Sequence, residues 1–218
     1  MRFTNHAICA ITILTLAACG KDSTAPKLVG PGNGTAVNLK GTLASIALSG
    51  DIDITIAATA SNGAAAITGC IYLKSVTCLV TIGTYTQATN GLSFSTSSPA
   101  IVFTGSYVDG VVNGAFTHSA GAGIFTTRTG SVNVFCGTFS GAASGRWNFT
   151  VTGSTLDGVY NDGSSNNRLT GTVSGSSLSI TFAAGTATGS LNGSSASGTW
   201  AAGSGSGSWT GSNGGCRS

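Results

Sequence analysis

Apolar and polar residues alternate along most of this chain. Trp147, Phe149 and Val151 are separated by Asn148 and Thr150, and Leu178, Ile180 and Phe182 by Ser179 and Thr181. Upstream, Ile52, Ile54 and Ile56 alternate with Asp51, Asp53 and Thr55, and "CLVTIGTYT", "GLSFST" and "AIVFTGSYV" continue the pattern. A two-residue period sends successive side chains to opposite faces, so each run predicts a strand with one buried face and one wet face. Turn formers such as Gly-Ser and Asn-Gly recur roughly every eight to ten residues, the spacing of an antiparallel meander. The wet faces are Ser and Thr, with few charges to keep open edges from pairing. Closure into a barrel removes those edges. The predicted class is therefore all-β: an antiparallel meander of short strands forming a small barrel or sandwich. The 34 glycines leave no long run with a helical period.

One stretch echoes another. "TGSYVDGVVNGAFTHSAGAGIFTT" (Thr104 to Thr127) aligns without gaps on "TGSLNGSSASGTWAAGSGSGSWTG" (Thr188 to Gly211). Gly114 falls on Gly198, Gly121 and Gly123 on Gly205 and Gly207, and Phe116 and Phe125 on Trp200 and Trp209. The echo predicts two related β units in tandem, over residues 37–130 and 131–218. An address segment (1–18) and a linker (19–36) precede them.

The six acidic residues are all aspartate, and the formal net charge is +3 with no basic cluster. Nucleic-acid binding has no footprint here. Besides Cys9 and Cys19, four cysteines remain, an even number that reads as disulfides in an exported chain. Cys70 and Cys78 suit facing positions across a hairpin, and Cys136 and Cys216 bracket the last unit. A zinc site would want paired CxxC motifs and more than the single His118 that follows Cys19. No metal and no cofactor is expected.

The address comes from the first twenty residues. Met1-Arg2 opens positive, and Ala7 to Leu16 forms an apolar core too short to span a bilayer. Leu16-Ala17-Ala18-Cys19 follows, and "GKDSTAPKLVGPGNGT" then turns polar. "LAAC" resembles the lipobox of bacterial lipoproteins. The resemblance implies cleavage before Cys19, diacylglycerol on its thiol and acylation of its amine, with the membrane as partner through that anchor. Gly20 after the cysteine is compatible with export to an outer membrane. Two or more acyl chains give stable attachment where one would be marginal. A flexible coil of the linker's length reaches roughly 20–25 Å. The globular body is assigned to no family.

Candidate chemistry is sparse. His118 in "AFTHSAGAG" has no GxSxG elbow to serve. Asp51 and Asp53 share the outer face of one strand, a solvated or Ca²⁺-touched edge rather than a catalytic pair. "YNDGSSNN" (Tyr160 to Asn167) is oxygen-rich but lacks EF-hand spacing, and reads as an extended loop suited to a partner. Asn161 and Asp162 within it are candidate binding residues. Trp147 reads as core; Trp200 and Trp209, set among Gly and Ser, either fill a barrel interior or form a stacking platform for a sugar. Thr84-Tyr85-Thr86 and Thr186-Ala187-Thr188 do not recur in register along the chain.

The sequence thus predicts a lipid-anchored, non-enzymatic binding or structural module of the bacterial envelope, with an envelope protein or glycan as partner. A cell-wall or glycan hydrolase would need Asp109, Asp157 and His118 to meet at one cleft. A carrier of small apolar ligands would need an interior that Trp147, Phe149, Phe182 and Trp200 leave open.

Overall fold

A computed structural model describes residues 31, 34–73 and 77–217. Cys19 and the lipobox lie outside the described residues. The first eight strands are β1 (Val37–Ser45), β2 (Ser49–Ile56), β3 (Ala64–Leu73), β4 (Leu79–Thr86), β5 (Gly91–Ser97), β6 (Ala100–Val108), β7 (Val111–His118) and β8 (Gly121–Arg128). Each pairs antiparallel with the next, and β8 returns to β1 to close a barrel. The second eight are β9 (Asn133–Gly141), β10 (Gly145–Thr152), β11 (Thr155–Asn161), β12 (Asn166–Ser174), β13 (Ser177–Phe182), β14 (Gly185–Asn192), β15 (Ser195–Ala202) and β16 (Gly205–Asn213). They close a second barrel through β9 and β16. A 3₁₀ turn, Gly215–Arg217, is the one helical element among the described residues.

The two-residue period explains both interiors. Ile52, Ile54 and Ile56 are fully buried in the first barrel, around Phe94, Phe103, Phe116 and Phe125. The second holds Phe135, Trp147, Phe149, Leu156 and Trp209. Outward positions of the second barrel carry hydroxyls that the pairing sets side by side: Ser179 faces Thr188, Thr188 faces Thr199, and Thr199 faces Ser208. Apolar inside and hydroxylated outside, the second barrel is the reverse of a membrane-spanning barrel, which carries its apolar band outward.

The sequence echo maps onto the register. Val111 and Ser195 open β7 and β15, His118 and Ala202 end them, and Gly121 and Gly205 open β8 and β16. Each aligned aromatic also lies over an aligned glycine. A Cβ added at Gly123 would run into the Phe116 ring, and one at Gly207 into the Trp200 indole. Glycine is required there because the neighbouring strand's ring covers its backbone.

The wet face is not wet everywhere. Outward residues of β1, β2 and β8 pack against outward residues of β10 and β11, and this contact buries polar groups expected to meet water. Asn148 is fully buried; its Nδ2 donates to the Leu43 carbonyl at 2.7 Å and meets the Ser49 hydroxyl at 3.0 Å. Thr150 and Val159 are buried beside it. Arg128 pairs with Asp157, and Arg168 donates to Asn113 Oδ1 at 2.7 Å. Asp51 was expected at a solvated edge but is only 3% exposed. Arg217 donates to it at 2.7 Å while lying 3.7 Å from the centre of the Tyr72 ring. A buried carboxylate requires such a partner. Asp53, one pleat along, keeps water and Lys40 at 3.5 Å.

Both expected disulfides form. Cys70 and Cys78 approach to 5.0 Å between Cα atoms, and Cys136 and Cys216 to 5.2 Å. The linker joins the body earlier than expected, since Thr59 donates its hydroxyl to the Pro31 carbonyl at 2.6 Å.

Candidate functional site

The residues a hydrolase would need are dispersed. Asp109 adopts a positive φ of 48°, followed by Gly110 at 83°. They are the two central residues of a tight hairpin between β6 and β7, the turn that left-handed residues favour. His118 stands at the far end of β7. Asp157 is held by Arg128 at the contact between barrels. His118 does lie 3.2 Å from a hydroxyl, that of the buried Ser45. Its Nδ1 accepts the Ala120 backbone N–H at 3.2 Å, which leaves the ring proton on Nε2, facing Ser45. A nitrogen that already carries a proton cannot take one from a hydroxyl. The pair caps the first barrel and offers no nucleophile. Asp51 also lies close to Cys136 and Cys216, but those sulfurs are joined to each other and are not thiolate ligands.

The loop between β11 and β12 is tied to itself. Asp162 Oδ1 accepts the backbone N–H groups of Ser164 and Ser165 at 2.9 and 2.8 Å, and the Ser164 hydroxyl at 2.7 Å. Asn161 donates to the Ser165 carbonyl and to Asn166 Oδ1, and accepts from the Gly163 N–H. Asn161 is buried and braces the loop from outside the barrel. Asp162 reaches the barrel mouth.

That mouth is the site. Phe139, Tyr160, Phe182 and Trp200 come from β9, β11, β13 and β15, so every second strand contributes one aromatic near the same end of the barrel. Inward side chains of alternate strands share a layer in a barrel, and here the layer is a collar of four rings. Phe139 meets Tyr160 edge-on at 6.2 Å and Trp200 at 6.0 Å, and Tyr160 meets Phe182 at 5.4 Å. Beneath the collar lies a cavity of about 170 Å³, walled by Trp147, Phe149, Leu169, Ile180, Ala187 and Trp209. Ala143, Asp162, Ala184 and Ala202 surround its entrance.

All three indoles turn their polar edge away from the cavity. Trp147 donates to the Thr138 carbonyl at 3.1 Å, Trp200 to the Ser140 carbonyl at 3.1 Å, and Trp209 to the Thr199 carbonyl at 3.2 Å. A buried indole N–H needs a partner, and each has found one in the sheet. The faces left to the cavity are apolar. Trp200 and Trp209, two of the expected binding residues, therefore face inward, and neither forms a flat sugar platform on the surface. Phe139 and Tyr160 were not singled out from sequence, and Phe182 entered there only as a residue whose packing decides whether the interior is open. Their grouping depends on which strands alternate around the barrel, and spacing along the chain does not state that.

The carboxylates shift in opposite directions. The Ser164 hydroxyl, aided by the Ser164 and Ser165 amides, holds Asp162 down at about 2. Burial pushes Asp51 and Asp157 above the ordinary 3.8, against the pull of Arg217 and Arg128. A lowered carboxyl gives its full contribution above 3.8 and loses it only as the pH falls through about 2. A raised carboxyl binds its proton more readily in the folded chain, so its contribution grows as the pH falls toward 3.8. The urea midpoint is therefore expected to hold or rise from about pH 7 to about pH 4. Tryptophan emission from the mouth should change only near pH 2. A midpoint that drops by about pH 5 would contradict these signs.

No protein-family model, curated protein or solved structure matches the chain.

Proposed function

We propose that this chain is a lipid-anchored protein of the bacterial envelope that works as a non-catalytic binding module, with the mouth of its second barrel as the binding site. One observation carries the reading: an open apolar cavity walled by indoles whose N–H groups are already satisfied. Concave, largely apolar and preformed is the description of a small-ligand site. A barrel with no need for a ligand gains more by filling such a space, because an unfilled cavity forfeits contact on every side. The carrier reading thus joins the binding-module reading, and the hydrolase reading loses its cleft. Cys19 and the polar segment after it provide the tether in this account, and the first barrel is its structural base.

Two measurements on the full-length protein test the proposal. Expressed in a bacterium, the chain is expected in the membrane pellet, and Cys19→Ala is expected to move it to the soluble fraction. Unchanged membrane association of the variant would refute the anchor. Titration with the fluorescent apolar probe N-phenyl-1-naphthylamine should give saturable emission at one probe per chain. A linear, unsaturable response would refute the site.

A further inference from the structure

The first barrel shows what the second one lacks. Phe103 on β6 is fully buried and stacks on Phe94, with centroids 4.5 Å apart and planes 4° from parallel. It lies 5.4 Å from Phe116 and 5.5 Å from Phe125. In the sheet, Phe103 stands between Phe94 and Phe116. The matching position on β14 is Ala187, which stands between Ile180 and Trp200 in the same register. Where the first barrel has a phenyl ring, the second has a methyl group. Two of the ring's three aromatic neighbours are nonetheless kept, Phe116 as Trp200 and Phe125 as Trp209.

The exchange continues toward the mouth. Ile101 and His118 face each other across β6 and β7, and both help to close the first barrel. Their counterparts, Gly185 and Ala202, face each other across β14 and β15 and offer only a hydrogen atom and a methyl group at that level. The vacated ring position and its route to solvent are open together. A cavity that merely reflected loose packing would give no reason for both.

Resting on the binding reading above, we propose that the second barrel binds small molecules bearing one flat apolar ring, seated where Phe103 sits in the first barrel. The volume suits such a ligand, because a dry apolar cavity of about 150 Å³ is known to admit benzene. The walls suit it as well. Aromatic rings prefer offset-stacked or edge-to-face neighbours, and Trp147 and Trp209 already stand edge-to-face at 5.3 Å and 86°. A flexible alkyl chain gains none of that geometry and loses rotamer freedom on entry. Among the described residues, Asp162 is the one carboxylate at the entrance. It favours a neutral or cationic outer substituent over an anionic one.

Calorimetry on the full-length protein separates these statements, with toluene, n-heptane, benzylamine and benzoate as probes. Toluene is expected to bind one per chain, and n-heptane, with the same number of carbons, at least about tenfold more weakly. Benzylamine should bind more tightly than benzoate. Ala187→Phe should weaken toluene binding by at least about tenfold while raising the thermal midpoint, since it supplies the missing ring. Ala187→Leu provides the same test should the phenyl variant fail to fold. Heptane binding as tightly as toluene would overturn the ring preference and leave the binding module standing. Benzoate binding as tightly as benzylamine would overturn the role of Asp162. Undiminished toluene binding by the filled variants would place the site elsewhere. Failure of every compound and of the naphthylamine probe would remove the binding module itself.

Discussion

Phe103→Ala is expected to destabilise the protein by about 3–5 kcal/mol, the range for truncating a fully buried phenylalanine. The cost is large because three aromatic neighbours surround this ring, at 4.5, 5.4 and 5.5 Å. Each loses a face or an edge, and a closed barrel cannot easily shrink around the hole. Strand pairing fixes its circumference, and eight strands already enclose a space that only side chains fill. Far-UV circular dichroism in urea measures the loss. All three tryptophans lie in the second barrel, so their emission reports separately how far the damage crosses the Asn148 contact. The variant also reproduces in the first barrel the exchange that β14 carries in the second. Toluene should therefore recover part of the lost stability, as any ligand that binds only the folded state does. A loss below about 1 kcal/mol would mean that the barrel collapses into the space, and Ala187 would then be no sign of a pocket.

Much of this architecture was legible in the residues. Ile52, Ile54 and Ile56 against Asp51, Asp53 and Thr55 state a strand and its inward face without ambiguity, because the strand period is two. Cys136 and Cys216 bracket one barrel, and the echo of Thr104–Thr127 in Thr188–Gly211 marks the last three strands of each. What escaped was whatever depends on a neighbouring strand. Asn148 reads as a wet residue from its own alternation, yet it lies fully buried because the other barrel covers its face. Thr188 and Thr199 are not spaced as a repeat along the chain, yet pairing places them side by side. The collar of Phe139, Tyr160, Phe182 and Trp200 needs the order of strands around a closed barrel. One signal did lie within reach. The echo extends one residue upstream of Thr104 and Thr188, and there Phe103 falls on Ala187. A ring opposite a methyl marks the pocket, but it means something only once both positions are known to point inward.

Replacing Cys136 and Cys216 together by serine is expected to cost about 4.5 kcal/mol, against about 2.5 kcal/mol for the same change at Cys70 and Cys78. The difference follows from loop length. The first bond closes 80 residues of separation and the second only 8, and the entropy withheld from the unfolded chain grows with the logarithm of that number. Position sharpens the contrast. Cys136 sits on β9 and Cys216 in the turn after β16, so their bond spans the seam where the second barrel closes. Barrel closure is the longest-range pairing in that unit and the slowest to be found by a free chain. The long-range bond also holds Arg217 beside Asp51, so its loss loosens the partner of a buried carboxylate in the other barrel. Urea midpoints of the two double variants, followed by far-UV circular dichroism, which sees both barrels, measure both losses. Equal losses would refute the loop-length account. A larger loss at Cys70 and Cys78 would mean that the first barrel, rather than the seam of the second, limits the stability of the whole.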